Sequence, residues 1–180
     1  QIEQLTSSWD QIGDIRRNYK VEIEANMFRF VFPEHPLNMV SRWSVGSDKD
    51  SIIKRAAFNG MGLVIWQDVF GVWLPFSNKQ KQQIKKLKNV LNKYHNIVFG
   101  SNSVPLIETL SKGLICNQFC NDNNQKILAI YNFTNKSIKG PLVALEPIVK
   151  IKYQQIFGIK SNLQIKKIKK INTIFGTIPA

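Results

Sequence analysis

Acids are in short supply in this chain. Asp and Glu number 12 against 25 Lys and Arg, which leaves a formal net charge of +13 over 180 residues. Such a balance invites a nucleic-acid reading, but arginine is scarce as well. Only Arg16, Arg17, Arg29, Arg42 and Arg55 occur, and only the first two are adjacent. The lysines gather at 79–93 and 150–170 among Ile, Asn and Gln, a texture of coding bias. Lysine is a compact, strongly hydrated charge that reads base edges poorly. A solvated basic surface is expected, and nucleic acid is not an expected partner. Cysteine is limited to Cys116 and Cys120. Two cysteines cannot complete a structural zinc site. Two free thiols on a strand and its turn are expected, or a disulfide if the protein is exported. No apolar run approaches the roughly 20 residues of a membrane helix, so no membrane span is expected. The opening at Gln1 has neither the basic start nor the apolar run of a secretory signal. It reads as the start of a piece of a longer protein, which leaves the compartment unknown, with a secreted or periplasmic one favoured.

What is present suffices for a packed core: 43% of residues are hydrophobic and 11% aromatic, which excludes a disordered chain. In residues 1–20, Trp9, Ile12 and Ile15 have helical spacing, with Asp10 and Asp14 early and Arg16 and Arg17 late, as a helix dipole favours. In residues 21–33, Val21/Ile23 and Phe28/Phe30/Phe32 recur with period two, which predicts extended chain. Pro33 and Pro36 bound a turn carrying Glu34 and His35. Asn38 to Trp43 then reads as a short strand.

Ser47, with Asp50 three residues on, predicts a helix start resembling a capping box. Asn59-Gly60 closes that helix through the left-handed cap that glycine accepts. Gly62 to Trp66 is an apolar run too short for a helix and suits a strand buried on both faces of a parallel sheet. Ser77 and Gln80 form a capping box for the clearest helix. Ile84, Leu87, Leu91, Tyr94 and Val98 line its apolar face, and Lys79, Lys81, Lys85, Lys86, Lys88 and Lys93 line the other. Gly100 ends it.

Beyond Gly100 the texture changes to short β-rich runs broken by Asn, Gly and Pro. NNQ at 123–125 and NKS at 135–137 read as hairpin turns. Asn132-Phe-Thr and Asn135-Lys-Ser match the glycosylation sequon, a match that arises by chance in an Asn-rich chain. The strand–helix alternation of 1–100 is the grammar of βα repeats, and 101–180 reads as a separate β domain. A complete (β/α) barrel needs about 250 residues, so only its last units would be present.

The stretches Val40-Ser-Arg-Trp43, Phe58-Asn-Gly-Met-Gly62 and Trp66-Gln-Asp-Val-Phe-Gly71, with the long helix and the run ILAIYNFTNKSIKGPLVALE after it, resemble the closing part of a glycoside-hydrolase-like (β/α) barrel. That barrel occurs in a bacterial group partly described as formylglycine-generating-enzyme-like. The resemblance covers most of the chain from about residue 38. It implies an α/β part followed by an all-β part: the last βα units of a TIM-type barrel, then a small antiparallel β-sandwich. The remainder of the barrel, upstream of Gln1, would be a partner.

It also implies a carbohydrate ligand and no cofactor or metal. The family has Glu after the Trp where this chain has Gln67, and Asn where it has Asp68. Retaining hydrolases attack the sugar with one carboxylate and protonate the leaving group with another. Gln67 cannot ionise, so either Asp68 has become the catalytic carboxylate or binding persists without catalysis. Arg42, Trp43, Trp66, Gln67 and Trp73 are the expected carbohydrate-binding residues, on the rim where strands of βα units end. The alternative for the tryptophans is core packing. A non-catalytic binding module and a basic nucleic-acid-binding protein are the competing functions.

Overall fold

The computed structural model describes residues 8–10, 23–41, 49–65, 76–146, 154–158, 162–168 and 171–180. Its first sheet has three parallel strands in the order β1 (Ser8–Asp10), β2 (Leu37–Ser41) and β3 (Gly62–Ile65). Helix α1 (Met27–Val31) lies between β1 and β2 in the chain, and α2 (Lys49–Asn59) between β2 and β3. After β3 come α3 (Asn78–Lys93) and the single turn α4 (His95–Val98). A two-stranded antiparallel pair follows, β4 (Leu114–Cys120) with β5 (Lys126–Asn132). The last sheet is antiparallel, with β8 (Ile171–Ile178) between β6 (Ile138–Leu145) and β7 (Gln164–Ile168).

This corrects the expected architecture. Among the described residues the strands lie in separate sheets of three, two and three, with four helices, and no sheet closes into a barrel. The parallel βα alternation is present, and among the described residues β1 and β3 are the edges of its sheet. The expected partial TIM-type barrel with a β-sandwich is therefore replaced by small mixed α and β layers. The described parallel strands number three and have three to five residues each, against the roughly eight strands of a small closed barrel.

Three local expectations also change. Ser8–Asp10 is a strand paired with Leu37–Met39, not part of a helix. The period-two run around Phe28 to Phe32 is helical from Met27 to Val31. Asn26 caps it by accepting from the Arg29 amide, and the Phe28 and Phe32 rings meet at 4.9 Å one turn apart. Three phenylalanines at alternate positions suit a strand, but a cap and an i,i+4 aromatic pair win locally. NKS does not turn a hairpin, because β5 pairs only with β4, so 133–137 carries the chain to the other sheet. NNQ does turn the β4–β5 hairpin, with Asn124 in the left-handed region at φ 56°.

Other expectations hold in the coordinates. The capping box is formed in both directions, the Gln80 amide donating to Ser77 Oγ and the Ser77 amide to Gln80 Oε1. Gly60 closes α2 with φ +62°, and a Cβ there would come within 2.7 Å of Val98 and 3.1 Å of Phe119. The position is closed by both conformation and space.

The core has three centres. Leu37, Met39, Ile52, Ala56, Met61 and Leu87 join β2, α2 and α3. Leu114, Cys116, Leu142 and Val143 join the β4–β5 pair to the last sheet. Phe30, Val98 and Phe119 join α1, α4 and β4, and so span residue 100. Two buried side chains reinforce that junction. Asn117 Nδ2 donates to the Phe58 carbonyl at 3.0 Å while its Oδ1 accepts from the Leu106 amide. Arg29, fully buried, donates from Nη2 to the Val98 carbonyl and from Nη1 to that of Pro33.

Candidate functional site

Parallel strands with helical crossovers gather three things at one edge: the C-terminal ends of the strands, the N-termini of the following helices and the loops between them. Ligands of open α/β sheets bind there. In this chain β2 and β3 are in register from Asn38↔Gly62 through Ser41↔Ile65, the last described residues of both segments. Ser41 and Ile65, the residues before Arg42 and Trp66 in the sequence, are thus neighbours on adjacent strands. Arg42, Trp43, Trp66, Gln67, Asp68 and Trp73 themselves lie outside the described residues.

The described part of this edge is built from the two helix starts. Asp50, in the first turn of α2, accepts from Gln80 Nε2 at 3.0 Å. Gln80 is also the capping-box residue of α3, so one amide ties both helix N-termini together. Phe76, just before the cap, is buried, and the Lys49 ammonium sits 4.5 Å from its ring centre. Lys49 is only 7% exposed, and its Nζ has no hydrogen-bond partner among the described residues. Burial lowers its pKa from the ordinary lysine value. An ammonium over an aromatic face is a cation–π contact. Here it also stands near the N-terminal, positive ends of two helix dipoles, with the Asp50 carboxylate beside it in the first turn of α2.

Nothing in the sequence singled out Lys49 or Phe76. A lysine at the first helical position is ordinary, and only packing turned it inward.

The remaining polar candidates are structural. Glu24 pairs with Arg55 at 2.9 Å, and Asn59 donates to the Glu24 and Arg55 carbonyls. His35 contacts Glu34 at 3.7 Å and packs against Phe32 in the turn before β2, at the opposite edge. Asn132 of the first sequon is buried. It donates to the carbonyls of Lys136 and Pro179, and accepts from the amide and hydroxyl of Thr134. That sequon is a turn motif.

Cys116 and Cys120 are free and buried on one strand. Four residues of strand hold them about 13 Å apart, beyond the reach of a disulfide. Among the described residues no group of three or more His, Cys, Asp or Glu comes together as a metal site, and no helix is long and apolar enough to cross a membrane. A groove of about 300 Å³ lies at the far end of α3, lined by Asn92, Lys93, Tyr94, His95, Asn96 and Gln125.

No family model, no curated protein and no solved structure matches this chain.

Proposed function

We propose that the chain binds carbohydrate at the C-terminal edge of its parallel sheet and does not hydrolyse it. The observation that carries the reading is the register pair Ser41↔Ile65. Ser41 and Ile65 are the residues that precede Arg42-Trp43 and Trp66-Gln67-Asp68 in the sequence. Tryptophan offers a flat apolar face for a sugar ring, and arginine, amide and carboxylate groups hydrogen-bond hydroxyls. The resemblance of these segments to glycoside-hydrolase-like proteins points the same way, and the reading does not depend on barrel closure.

The absence of turnover follows from the chemistry of Gln67. Glycoside cleavage uses two carboxyl groups, about 5–5.5 Å apart for retention or 6.5–9.5 Å for inversion. An amide in place of the acid keeps shape and hydrogen bonding but provides neither nucleophile nor proton. Asp50, the described acid at this edge, is committed to Gln80.

The test is titration calorimetry of the full chain against a panel of oligosaccharides, beside a reducing-sugar assay. Binding without release of reducing ends is the expected result, weakened about tenfold or more by Trp66→Ala or Trp73→Ala and unchanged in turnover by Asp68→Asn. Steady hydrolysis abolished by Asp68→Asn would overturn the non-catalytic reading. Binding indifferent to both tryptophans would remove the edge as the site.

A further inference from the structure

Helix α3 carries a charge pattern that its structural role does not require. Its core contact is made by a narrow stripe, with Leu87 buried and Leu91 packed beside it. The six lysines Lys79, Lys81, Lys85, Lys86, Lys88 and Lys93 are all exposed. The helix contains no acid, and none occurs anywhere between Asp68 and Glu108. Ordinary surface helices intersperse opposite charges at three- and four-residue spacing. Here Lys81 and Lys85 are like charges at i,i+4, a mildly destabilising arrangement with no compensation on the helix.

Helical periodicity sorts these lysines into two rows. Lys79, Lys86 and Lys93 recur every seven residues, nearly two turns, so their charges lie about 10.5 Å apart along the axis. Lys81, Lys85 and Lys88 form the second row. Between the rows the outermost strip carries Gln82 and Asn89, both exposed. At one end the track starts at Ser77, the cap that follows Phe76, whose ring carries the Lys49 ammonium. At the other it runs into the groove of Asn92, Lys93, Tyr94, His95 and Gln125, where Lys93 Nζ lies 5.2 Å from the centre of the Tyr94 ring. The whole track spans about 21 Å from Lys79 to Lys93.

From this layout we infer that α3 is a track for an acidic polysaccharide, a sugar chain bearing carboxylates or sulfate esters, running from the sheet edge to the Tyr94 groove. The inference rests on the carbohydrate reading for its ligand class and not for its location. The lysines supply spaced point charges, the amides between them meet hydroxyls, and the groove offers amides and one aromatic ring for a sugar residue.

A nucleic acid fits less well. Duplex DNA carries a phosphate every 3.4 Å per strand, about three times denser than the Lys79–Lys86–Lys93 row and denser than the roughly 4.5–6 Å steps of the other row. The track has neither arginine for base edges nor a run of aromatics for stacking. A bilayer surface would need an exposed apolar face, and the apolar stripe of α3 is turned to the core.

The experiment is affinity electrophoresis of the full chain in gels containing polygalacturonate, its fully methyl-esterified and therefore uncharged form, or duplex DNA, at two salt concentrations. Retardation by polygalacturonate is expected, at least about tenfold stronger than by the methyl ester and reduced by salt. The combined variant Lys79→Glu, Lys86→Glu, Lys93→Glu should abolish it. These residues are exposed, and circular dichroism checks that the fold is retained. The combined Lys→Gln variant, which removes charge without reversing it, should fall between.

Equal retardation by the ester, tighter binding of DNA than of polygalacturonate, or retardation unaltered in the Glu variant would each overturn the inference. Trp66→Ala separates it from the edge site. Polygalacturonate binding lost in the lysine variant but kept in Trp66→Ala supports the track and refutes the edge. Binding lost only in Trp66→Ala does the reverse.

Discussion

At the scale of single residues, the interior of this protein holds polar groups that sequence reading treats as surface or as motif. Asn132 opens a sequon that reads as a chance match, and it is a buried turn residue. Cys116 looked like an ordinary free thiol, and it is fully buried. Burial pushes its pKa up from 9.0 to about 12. A folded pKa raised above the unfolded value means that the contribution to stability is complete below about pH 9. It is lost progressively as pH rises towards 12. Each pKa unit is worth about 1.4 kcal/mol, so by about pH 10.5 the Cys116 contribution has fallen by about 2 kcal/mol. The wild type should therefore lose its stability advantage over Cys116→Ala by that amount between pH 7 and 10.5. Paired urea titrations at the two pH values measure it. A constant gap would show that the thiol does not titrate as burial demands.

At the scale of elements, α1 has only five residues and cannot persist by propensity alone. It is held by what its face meets. Arg29 joins it to the C-terminal carbonyl of α4 and lies against the Phe99 ring at 4.6 Å. Burial lowers its pKa to about 10, a sign of how poorly the site solvates a cation. Its Nε has no partner among the described residues. Two effects compete: the charge is costly to bury, while its forked donors satisfy two carbonyls at once. Lysine keeps the first and loses much of the second, since a compact ammonium cannot span both carbonyls and lie flat on a ring. Methionine removes both. Arg29→Lys is thus expected to destabilise the protein more than Arg29→Met does, by about 1 kcal/mol or more in denaturant midpoints converted with a shared slope. The reverse order would show that the charge is better tolerated than its surroundings imply.

At the scale of the whole molecule, the two stretches that read as separate units are joined by buried contacts. Phe30 stacks on Phe119 at 5.6 Å, and a Cβ on Gly100 would come within 2.1 Å of the Cys120 carbonyl oxygen. Asn117 bridges the end of α2 and the segment before β4. Asn117→Ala would take the donor from the buried Phe58 carbonyl and the acceptor from the part-buried Leu106 amide. A buried orphan group costs about 1–3 kcal/mol, so a loss of about 2–4 kcal/mol is expected. Calorimetry should still show one transition, because the Phe30–Val98–Phe119 cluster continues to couple the parts. Two resolved transitions in the variant would show that Asn117 alone joins them.

Much of the local structure was legible in residue order, because its causes lie within a few positions. The Ser77–Gln80 box, the Asn59-Gly60 stop and the basic face of α3 are each set by neighbours in sequence. By contrast β3, expected to be buried on both faces, is a sheet-edge strand among the described residues, with no fully buried residue and Ile65 exposed. The candidate edge was legible only as chemistry. Tryptophan, amide and acid next to an apolar strand suggest a binding rim, while Lys49 and Phe76 carry no signal before they pack. Tertiary structure decided how far the βα alternation extends, since strand pairing joins residues far apart and no local pattern states how many strands will share a sheet. It also decided which polar groups go inside. Arg29 and Asn117 are buried because carbonyls 69 and 59 residues away in sequence need donors, and that demand exists only once the chain has folded.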